Sequence, residues 1–376
     1  MYLLLLTMLR RILANLRFYD WPLLLAVLML VLISLLTLYS IGLSFDQPDF
    51  TNFNRQLVFG GIGLVVLIGI SMIDYRFWQN ISRPLYLIGL TLLVGVLIFG
   101  QNLRGTKGWF IVGSFSFQPV EIAKFGLIAW LAYYLARHGR ELTDWRKFLT
   151  TGVAAAAASG LVILQPDLGS AIVLFVIWFA LVMLAGVRRW HIASVVGMLI
   201  VVFISGWFFF FADYQKDRLL TFVDPGRDPY GTGYHVRQAL IAVGAGQLTG
   251  KGLSFGSQSQ LKFIPDSQTD FIFAVISEEL GFLGAGLVLV LWGIIFWRLL
   301  RIAKHTSDDF ALFFVMGVFT LFFVQTTINI GMNIGLLPVT GIGLPFISYG
   351  GSFLIVSLAL IGVVQDVAIK SVRHKI

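Results

Sequence analysis

The stretch from Phe263 to Gly284 reads FIPDSQTDFIFAVISEELGFLG and organises the rest of the chain. Its first half is polar, and its second half is an apolar run of helical length. Asp270 lies at the junction, with Glu278 and Glu279 two turns further on. A carboxylate near hydrocarbon is costly, so an acid at the start of a membrane helix is a functional candidate. The alternative is that Thr269 or Asp270 only caps the helix.

The composition is that of an integral membrane protein. Of the 376 residues, 58% are hydrophobic and 12% are charged, and the mean hydropathy is +0.87. Soluble domains average about 25% charged residues. The net charge of +8 is explained by retention of Lys and Arg on the cytoplasmic side, without nucleic acid as a partner. The absence of cysteine excludes disulfides and thiolate metal sites.

The apolar segments predict an all-α polytopic membrane fold with about ten transmembrane helices, because a helix needs roughly 20 apolar residues to cross a bilayer. Residues 1–376 are expected to form one transmembrane domain. The clustering of basic residues predicts that both termini are cytoplasmic. The predicted crossings are residues 21–43, 57–73, 85–100, 119–136, 150–164, 169–186, 191–212, 271–297, 310–334 and 350–369.

A long connection, about residues 213–269, separates the seventh and eighth crossings and is extracytoplasmic in this topology. Long loops without secondary structure are uncommon and usually functional. Within it, residues 234–243 have the apolar spacing of a helix that lies on the membrane surface. The glycines of VGAGQLTGKG do not fit the phosphate-loop pattern GxxxxGK[ST], so we interpret them as flexible turns.

Further polar residues fall on the same predicted side. Glu121 and Lys124 are spaced i and i+3 and can pair on a helix, either as a structural ion pair or as part of a site. Asp167 either caps a tight turn or joins that site. Residues 329–352 are rich in glycine and contain two prolines, which predicts irregular backbone. At membrane depth such backbone is tolerated only inside protein or around a cavity. The five histidines form no zinc motif.

Five sequence blocks resemble the SEDS family (shape, elongation, division and sporulation) of bacterial peptidoglycan glycosyltransferases. The order and spacing of these blocks cover residues 20–370. The stretch GKGLSFGSQSQLKFIPDSQTDFIFA is more similar to the elongation members than to the division members. One departure is Gly108, where the family often has arginine before the tryptophan. The blocks are GTKGW, QPVEIAK, QPDLG, the loop from Asp224-Pro225 to TDFIFAVISEELG, and NIGMNIGLLPVTGIGLPFISYGGS.

The resemblance implies polymerisation of lipid II outside the cytoplasmic membrane during cell elongation. The 4-hydroxyl of the acceptor GlcNAc attacks C1 of the donor MurNAc with inversion, and undecaprenyl diphosphate leaves. Asp270 is then the catalytic base, and cationic side chains bind the diphosphate. The implied substrate-binding residues are Lys107, Trp109, Glu121, Lys124, Asp167, Arg218, Arg227 and Lys251.

The resemblance also implies partners and a cofactor. A single-pass class B penicillin-binding protein is expected to crosslink the nascent glycan, beside membrane lipids and other elongation complex proteins. Asp167, Glu121 and Asp270 are candidates to hold a divalent cation, Mg²⁺ or Mn²⁺, because both ions prefer oxygen ligands. No organic cofactor is expected.

Two other functions stay open at this point. A flippase for lipid-linked precursors would carry polar groups near the membrane midplane, often in broken helices and internal repeats. The polar residues here cluster instead at the predicted outer side, and no repeat is apparent. A scaffold of the elongation complex would not need a carboxylate at Asp270.

Overall fold

The computed structural model describes residues 17–44, 47–103, 106–113, 115–210, 216–217, 220–222, 224 and 231–373. The fold is mainly helical, with a short 3₁₀ turn at Gly139–Glu141 and a π turn at Gly206–Phe210. In chain order the α-helices are α1 (Trp21–Leu43), α2 (Thr51–Ile70), α3 (Tyr75–Asn80), α4 (Ser82–Phe99), α5 (Pro119–His138), α6 (Trp145–Ile163), α7 (Leu168–Leu184), α8 (Arg189–Ser205), α9 (Thr232–Ala245), α10 (Ser257–Gln260), α11 (Ile272–His305), α12 (Asp309–Asn333) and α13 (Gly351–Arg373).

Eight helical segments of the described chain are long and apolar enough to cross a membrane, namely α1, α2, α4, α5, α11, α12, α13 and the segment Arg189–Phe209 that includes α8. This supports a multi-pass membrane protein. The two other predicted crossings, 150–164 and 169–186, also fall on helices, α6 and α7. Helix α7 is apolar but has only 17 residues, and α6 is not among the eight. A total of ten crossings therefore stays a prediction.

A small antiparallel sheet interrupts the helical fold and corrects the all-α prediction. Strands β1 (Gln101–Leu103), β2 (Thr106–Val112) and β3 (Phe115–Phe117) pair in the order β1-β2-β3 between α4 and α5. Trp109 pairs with Gln101, and Phe110 pairs with Phe117. Aromatic and β-branched residues favour strands. The segment is too short for another membrane helix, so hairpin pairing satisfies its backbone.

The helices pack around an aromatic core. Helix α13 packs against α2, α11 packs against α1 and α12, and α5 contacts both α4 and α12. Phe346, in the irregular segment after α12, places its ring 5.7 Å from that of Trp292 and 5.1 Å from that of Phe322. Because lipid is as apolar as these side chains, close van der Waals packing holds such helices together more than hydrophobic exclusion does.

Ion pairs join helix ends at the pole of the bundle remote from Asp270. Asp20, before α1, binds Arg298 near the end of α11. Lys370 on α13 contacts both Asp74, before α3, and Asp366. Partial burial opposes ionisation of Asp74, but the hydrogen bond and the charge of Lys370 outweigh it and hold the pKa of Asp74 below its usual value. Ion pairs therefore hold the helix ends together at this pole.

Helix α11 is broken at its tenth residue, Gly281. Gly281 has φ 66° and ψ −162°, so the helical hydrogen-bond ladder stops there. The connecting segment 247–252 fills the gap with backbone hydrogen bonds. The amides of Lys251 and Gly252 donate to the carbonyls of Glu278 and Glu279, each at 3.0 Å, and the amides of residues 282 and 283 donate to the carbonyls of residues 247 and 248.

The glycines of this segment allow the two backbones to touch. A Cβ atom at Gly246 would lie 1.8 Å from the carbonyl oxygen of Ser277, and one at Gly250 would lie 2.1 Å from that of Glu279. The glycines thus permit a tight joint, and our interpretation of them as flexible turns is wrong. The helix predicted at residues 234–243 is confirmed as α9, and its position on the membrane surface stays a prediction. It packs against α11 and α12, with Ala239 and Ala242 fully buried.

We expect Gly281→Ala to destabilise the protein by at least about 2 kcal/mol, since φ is positive there and the new methyl group would lie 2.2 Å from the amide nitrogen of Gly250. Thermal unfolding in detergent measures the loss. Gly286→Ala is the matched control, because nothing lies within 4 Å of a methyl group at this position of the same helix. The control should have a melting temperature at or above that of the wild type. Equal melting temperatures of the two variants would contradict the close backbone contact at Gly281.

Candidate functional site

Asp270 lies in the turn that leads into α11, where it is half-buried. Two asparagines of α12, one helical turn apart, hold its main chain. The Asp270 carbonyl accepts hydrogen bonds from Asn329 Nδ2 at 3.0 Å and from Asn333 Nδ2 at 2.9 Å. Both asparagine side chains are fully buried. The backbone that carries the predicted catalytic carboxylate is therefore fixed from a second helix.

The start of α11 is capped from outside its own sequence. Its N-cap residue is Phe271, which has no side-chain oxygen to offer. The Oδ1 atom of Asn333 instead accepts the amide of Ala274 at 3.0 Å. One carboxamide thus serves both the first turn of α11 and the carbonyl of Asp270. The alternative that Thr269 or Asp270 is the N-cap residue of α11 is wrong.

The irregular segment 334–350 packs against the Asp270 turn. Ser348 Oγ donates to the Thr269 carbonyl at 2.5 Å, and the Tyr349 amide donates to the Gln268 carbonyl at 2.9 Å. A Cβ atom at Gly341, where φ is 75°, would lie 3.7 Å from Asp270 Oδ2. The predicted irregular backbone is confirmed, and the segment passes close to the carboxylate.

Buried polar side chains on α1 and α2 form hydrogen bonds to the end of this segment. The side chain of Gln56 accepts the Gly350 amide at 3.3 Å and donates to the Ser348 carbonyl at 3.3 Å and to Ser34 Oγ at 3.2 Å. Ser34 Oγ donates to the Ile347 carbonyl at 2.5 Å. Our sequence analysis missed both side chains. Their only signal was a polar side chain inside an apolar run.

The predicted pairing of Glu121 with Lys124 is confirmed. Lys124 Nζ lies 2.7 Å from Glu121 Oε1 in the first turns of α5, and both side chains are at least 93% buried. The amide of Gln118, just before this helix, donates to Ser352 Oγ at the start of α13. The ion pair therefore lies at the same pole as the segment that surrounds Asp270.

Lys107, Trp109 and Asp167 are half-buried and belong to neighbouring elements. The Lys107 amide donates to the Gln165 carbonyl at 3.3 Å, which ties β2 to the turn before α7. Asp167 Oδ1 accepts the Ser170 amide at 2.9 Å, so the capping alternative for Asp167 is confirmed.

The start of α7 connects this group to the segment around Asp270. A Cβ atom at Gly169 would lie 2.8 Å from both the Thr340 carbonyl oxygen and the Ile342 side chain. Asn329 Nδ2 donates to the carbonyl of the same Ile342 at 2.8 Å. The structure thereby brings the elements that carry Lys107, Asp167 and Asp270 to one pole of the bundle.

Lys251 lies at the broken joint of α11. Its Nζ atom is 2.8 Å from Ser257 Oγ and 3.6 Å from Glu278 Oε1. The fully buried Glu278 carboxylate also accepts the amides of Gln258 at 2.8 Å and Ser259 at 2.9 Å, in the first turn of α10. Lys251 therefore helps to clamp the segment 247–260 onto α11, a role that the sequence did not indicate.

Glu279 links α11 and the same segment, 247–260, to α1. Its Oε1 atom accepts hydrogen bonds from Ser40 Oγ at 2.6 Å and from Gln260 Nε2 at 3.3 Å. The side chain is almost fully buried. Both glutamates of the opening stretch are thus structural links between α11 and its neighbours in the described chain.

Two predicted contributors cannot be placed. Arg218 and Arg227, together with most of residues 211–230, lie outside the described residues. Within the part of the chain that is described, no group of three or more acidic, histidine or cysteine residues could hold a metal ion. Asp167, Glu121 and Asp270 do not form such a cluster, so binding of Mg²⁺ or Mn²⁺ stays a prediction.

We expect Lys124→Met to lower stability by about 3–5 kcal/mol, because it leaves the buried Glu121 carboxylate without its partner. The double variant Glu121→Gln with Lys124→Met removes both charges and should regain most of that loss. Thermal unfolding of the two variants beside the wild type measures this. A single variant that melts like the wild type would show that the pair is not buried as described.

Comparison with known proteins agrees along nearly the whole chain. Residues 15–373 match the family described as Cell cycle protein, which is named for FtsW, RodA and SpoVE. Stage V sporulation protein E of Bacillus subtilis is 38% identical over 361 residues, which cover 93% of this chain and 96% of that protein. The peptidoglycan glycosyltransferase MrdB of Escherichia coli K12 is 37% identical over 352 residues, with 93% of both chains covered.

Two solved structures share the fold. One chain comes from a structure described as the structural coordination of polymerization and crosslinking by a peptidoglycan synthase complex. It matches with a TM-score of 0.80 and 31% identity, over 94% of this chain and 98% of that chain. The rod shape determining protein RodA of Thermus thermophilus matches with a TM-score of 0.69 and 30% identity, over 93% and 96%. The protein therefore belongs to the FtsW, RodA and SpoVE family, the SEDS proteins.

Proposed function

We propose that this protein is a peptidoglycan glycosyltransferase that polymerises lipid II into β-1,4 glycan strands, with Asp270 as the general base. The observation that carries the proposal is the fixed backbone of Asp270, which the buried Asn329 and Asn333 hold from one side. The names of the relatives support the reaction: MrdB of Escherichia coli and several FtsW proteins are named as peptidoglycan glycosyltransferases.

The geometry suits base catalysis by a weak base. A free aspartate has a pKa of about 3.9, so it is ionised at neutral pH but attracts a hydroxyl proton only weakly. Such a base contributes when it is held within hydrogen-bond distance of the attacking hydroxyl. The hydrogen bonds to the Asp270 carbonyl and the close approach of Gly341 restrict where the carboxylate can point. We assign the acceptor 4-hydroxyl to the space within hydrogen-bond distance of the Asp270 carboxylate.

The leaving diphosphate needs positive charge, and the described lysines differ in whether a carboxylate already pairs with them. Lys124 is neutralised by Glu121 at 2.7 Å, and Lys251 faces the carboxylate of Glu278 at 3.6 Å. Lys107 has no ion pair with any described residue and is half-buried on β2. We therefore assign Lys107 as the first diphosphate ligand, with Trp109 beside it as a packing surface for the donor.

The orientation and the partner are part of the same proposal. The distribution of Lys and Arg supports cytoplasmic termini and an extracytoplasmic site in the bacterial cytoplasmic membrane. The neighbouring structure that concerns polymerization and crosslinking supports a class B penicillin-binding protein as partner. A role in elongation rests on the similarity of residues 250–274 to elongation members and on the match to RodA.

A flippase fits the structure less well. The break in α11 is a feature that transporters share, and our sequence analysis did not expect it. In a transporter the freed backbone groups face a substrate or an ion. At this break they bond to residues 247–252 of the same chain, which leaves them saturated.

We expect Asp270→Asn to abolish glycan strand formation from purified lipid II, measured on gels with a class B penicillin-binding protein present and penicillin added to silence crosslinking. Asp266→Asn is the matched control, because this exposed aspartate lies in the same turn and asparagine tolerates its φ of 47°. The control should polymerise normally. Strands of normal length from folded Asp270→Asn would remove the assignment of Asp270 as the base.

If a divalent cation assists the diphosphate, excess EDTA should suppress polymerisation, and added Mg²⁺ or Mn²⁺ should restore it. The melting temperature with EDTA serves as the control for loss of structure. Unchanged strand formation in excess EDTA would remove the cation from the proposed reaction.

A further inference from the structure

An open cavity of about 240 Å³, lined by charged and apolar side chains, lies at the pole remote from Asp270. It lies between the residues before α1, the last turns of α11 and the last turns of α13. Its lining includes Asp20, Arg298, Arg301, His305 and Ser371. Arg298 and Arg301 follow the start of α11 by roughly 40 Å of helix. This cavity therefore has no part in the proposed glycosyl transfer.

Asp20 orients Arg298 and leaves donors of this guanidinium unused. Arg298 Nε lies 2.8 Å from Asp20 Oδ1, and Nη2 lies 2.5 Å from Oδ2. Asp20 Oδ1 also accepts the Leu23 amide at 3.1 Å, so the carboxylate is saturated. A guanidinium has five N–H donors, and this bidentate pair occupies two of them. Among the described residues, no second acceptor for Arg298 is present.

Arg301 adds an uncompensated charge beside the first. Its guanidinium lies 5.7 Å from the ring centroid of Trp297, and that of Arg298 lies 5.2 Å from the same ring. No acidic side chain of the described chain is within salt-bridge distance of Arg301. The two guanidinium groups and the one carboxylate of Asp20 leave an excess of one positive charge among the Arg and Asp side chains that line the cavity.

The depth of the cavity matches the headgroup layer of a membrane. Helix α11 is long and apolar enough to span, and Trp297 near its end is 56% exposed. Exposed tryptophan is enriched at the membrane–water interface. Leu300 and Val372, on α11 and α13, also expose apolar surface there. A ligand at this position would have its charge in the cavity and its apolar part in the bilayer.

We propose that this cavity binds the phosphate group of an anionic phospholipid, with Arg301 and the unused N–H donors of Arg298 as ligands. A phosphodiester carries one negative charge, which balances that excess positive charge. Guanidinium groups match phosphate oxygens through paired hydrogen bonds. Basic pockets between membrane helices are known places for such headgroups. The same chemistry would accept a soluble phosphate, so the test separates the two sources.

The test titrates phosphatidylglycerol into the purified full-length protein in neutral detergent and phosphate-free buffer, with the melting temperature as the readout. Phosphatidylcholine serves as the neutral lipid, and inorganic phosphate and glycerol 3-phosphate serve as soluble probes. Phosphatidylglycerol should raise the melting temperature saturably, and the other three should not. A matching shift with inorganic phosphate would overturn the assignment to a lipid.

Arg301→Gln should weaken the apparent affinity for phosphatidylglycerol about tenfold, because it removes charge-assisted hydrogen bonds. Lys304→Gln is the matched control. Lys304 is exposed and does not line the cavity, and its substitution removes one positive charge from the same helix end. Arg301→Lys, which keeps the charge and loses the planar fork, should fall between wild type and Arg301→Gln.

Native mass spectrometry should show bound phosphatidylglycerol on the wild type and on Lys304→Gln, and less on Arg301→Gln. Equal phosphatidylglycerol responses of wild type and Arg301→Gln in both measurements would overturn the proposed site. So would an equal loss in Lys304→Gln and Arg301→Gln, because that result would reflect surface charge alone.

Discussion

The structure depends on one constraint: backbone groups that leave the helical ladder away from water must find partners inside the protein. The clearest case is the carboxamide of Asn333. Its nitrogen donates to the Asp270 carbonyl, and its oxygen accepts the Ala274 amide. One side chain on α12 thereby completes the start of α11. These hydrogen bonds fix the backbone of Asp270, which carries the carboxylate at the start of α11. The same hydrogen bonds therefore serve both the fold and the proposed chemistry.

The same constraint explains the break in α11. A helix interrupted at Gly281 exposes two carbonyls and two amides, and residues 247–252 saturate all four. Glycine is required both on α11 and on the joining segment, because the two backbones approach within contact distance. Glu278 and Glu279 then tie the joining segment to α10 and α1. The first turns of α11, which follow Asp270, are thus held as a unit by loops and not by the rest of their own helix.

Charge is distributed differently at the two poles. Near Asp270 the cations of Lys124 and Lys251 are each matched by a buried or nearly buried glutamate. At the remote pole Arg298 is matched by Asp20, whereas Arg301 forms no ion pair with any described residue. A membrane protein meets lipid phosphate groups at both membrane surfaces. Lys107, half-buried at one pole, and Arg301, exposed at the other, are the two cations that we propose as phosphate ligands.

The sequence by itself determined that the fold is mainly helical and crosses the membrane several times, the position of nearly every long helix and the ion pair of Glu121 with Lys124. It did so because hydropathy over some 20 residues and spacing within a helix are local properties. It also singled out Asp270, since an acid beside an apolar run stands out. Only the tertiary structure decided that Asn333 and not Asp270 caps α11, that the glycines near residue 250 form a joint, and that β1, β2 and β3 pair as a sheet. These features depend on which segments meet, and contacts between segments leave no periodic signal in one sequence.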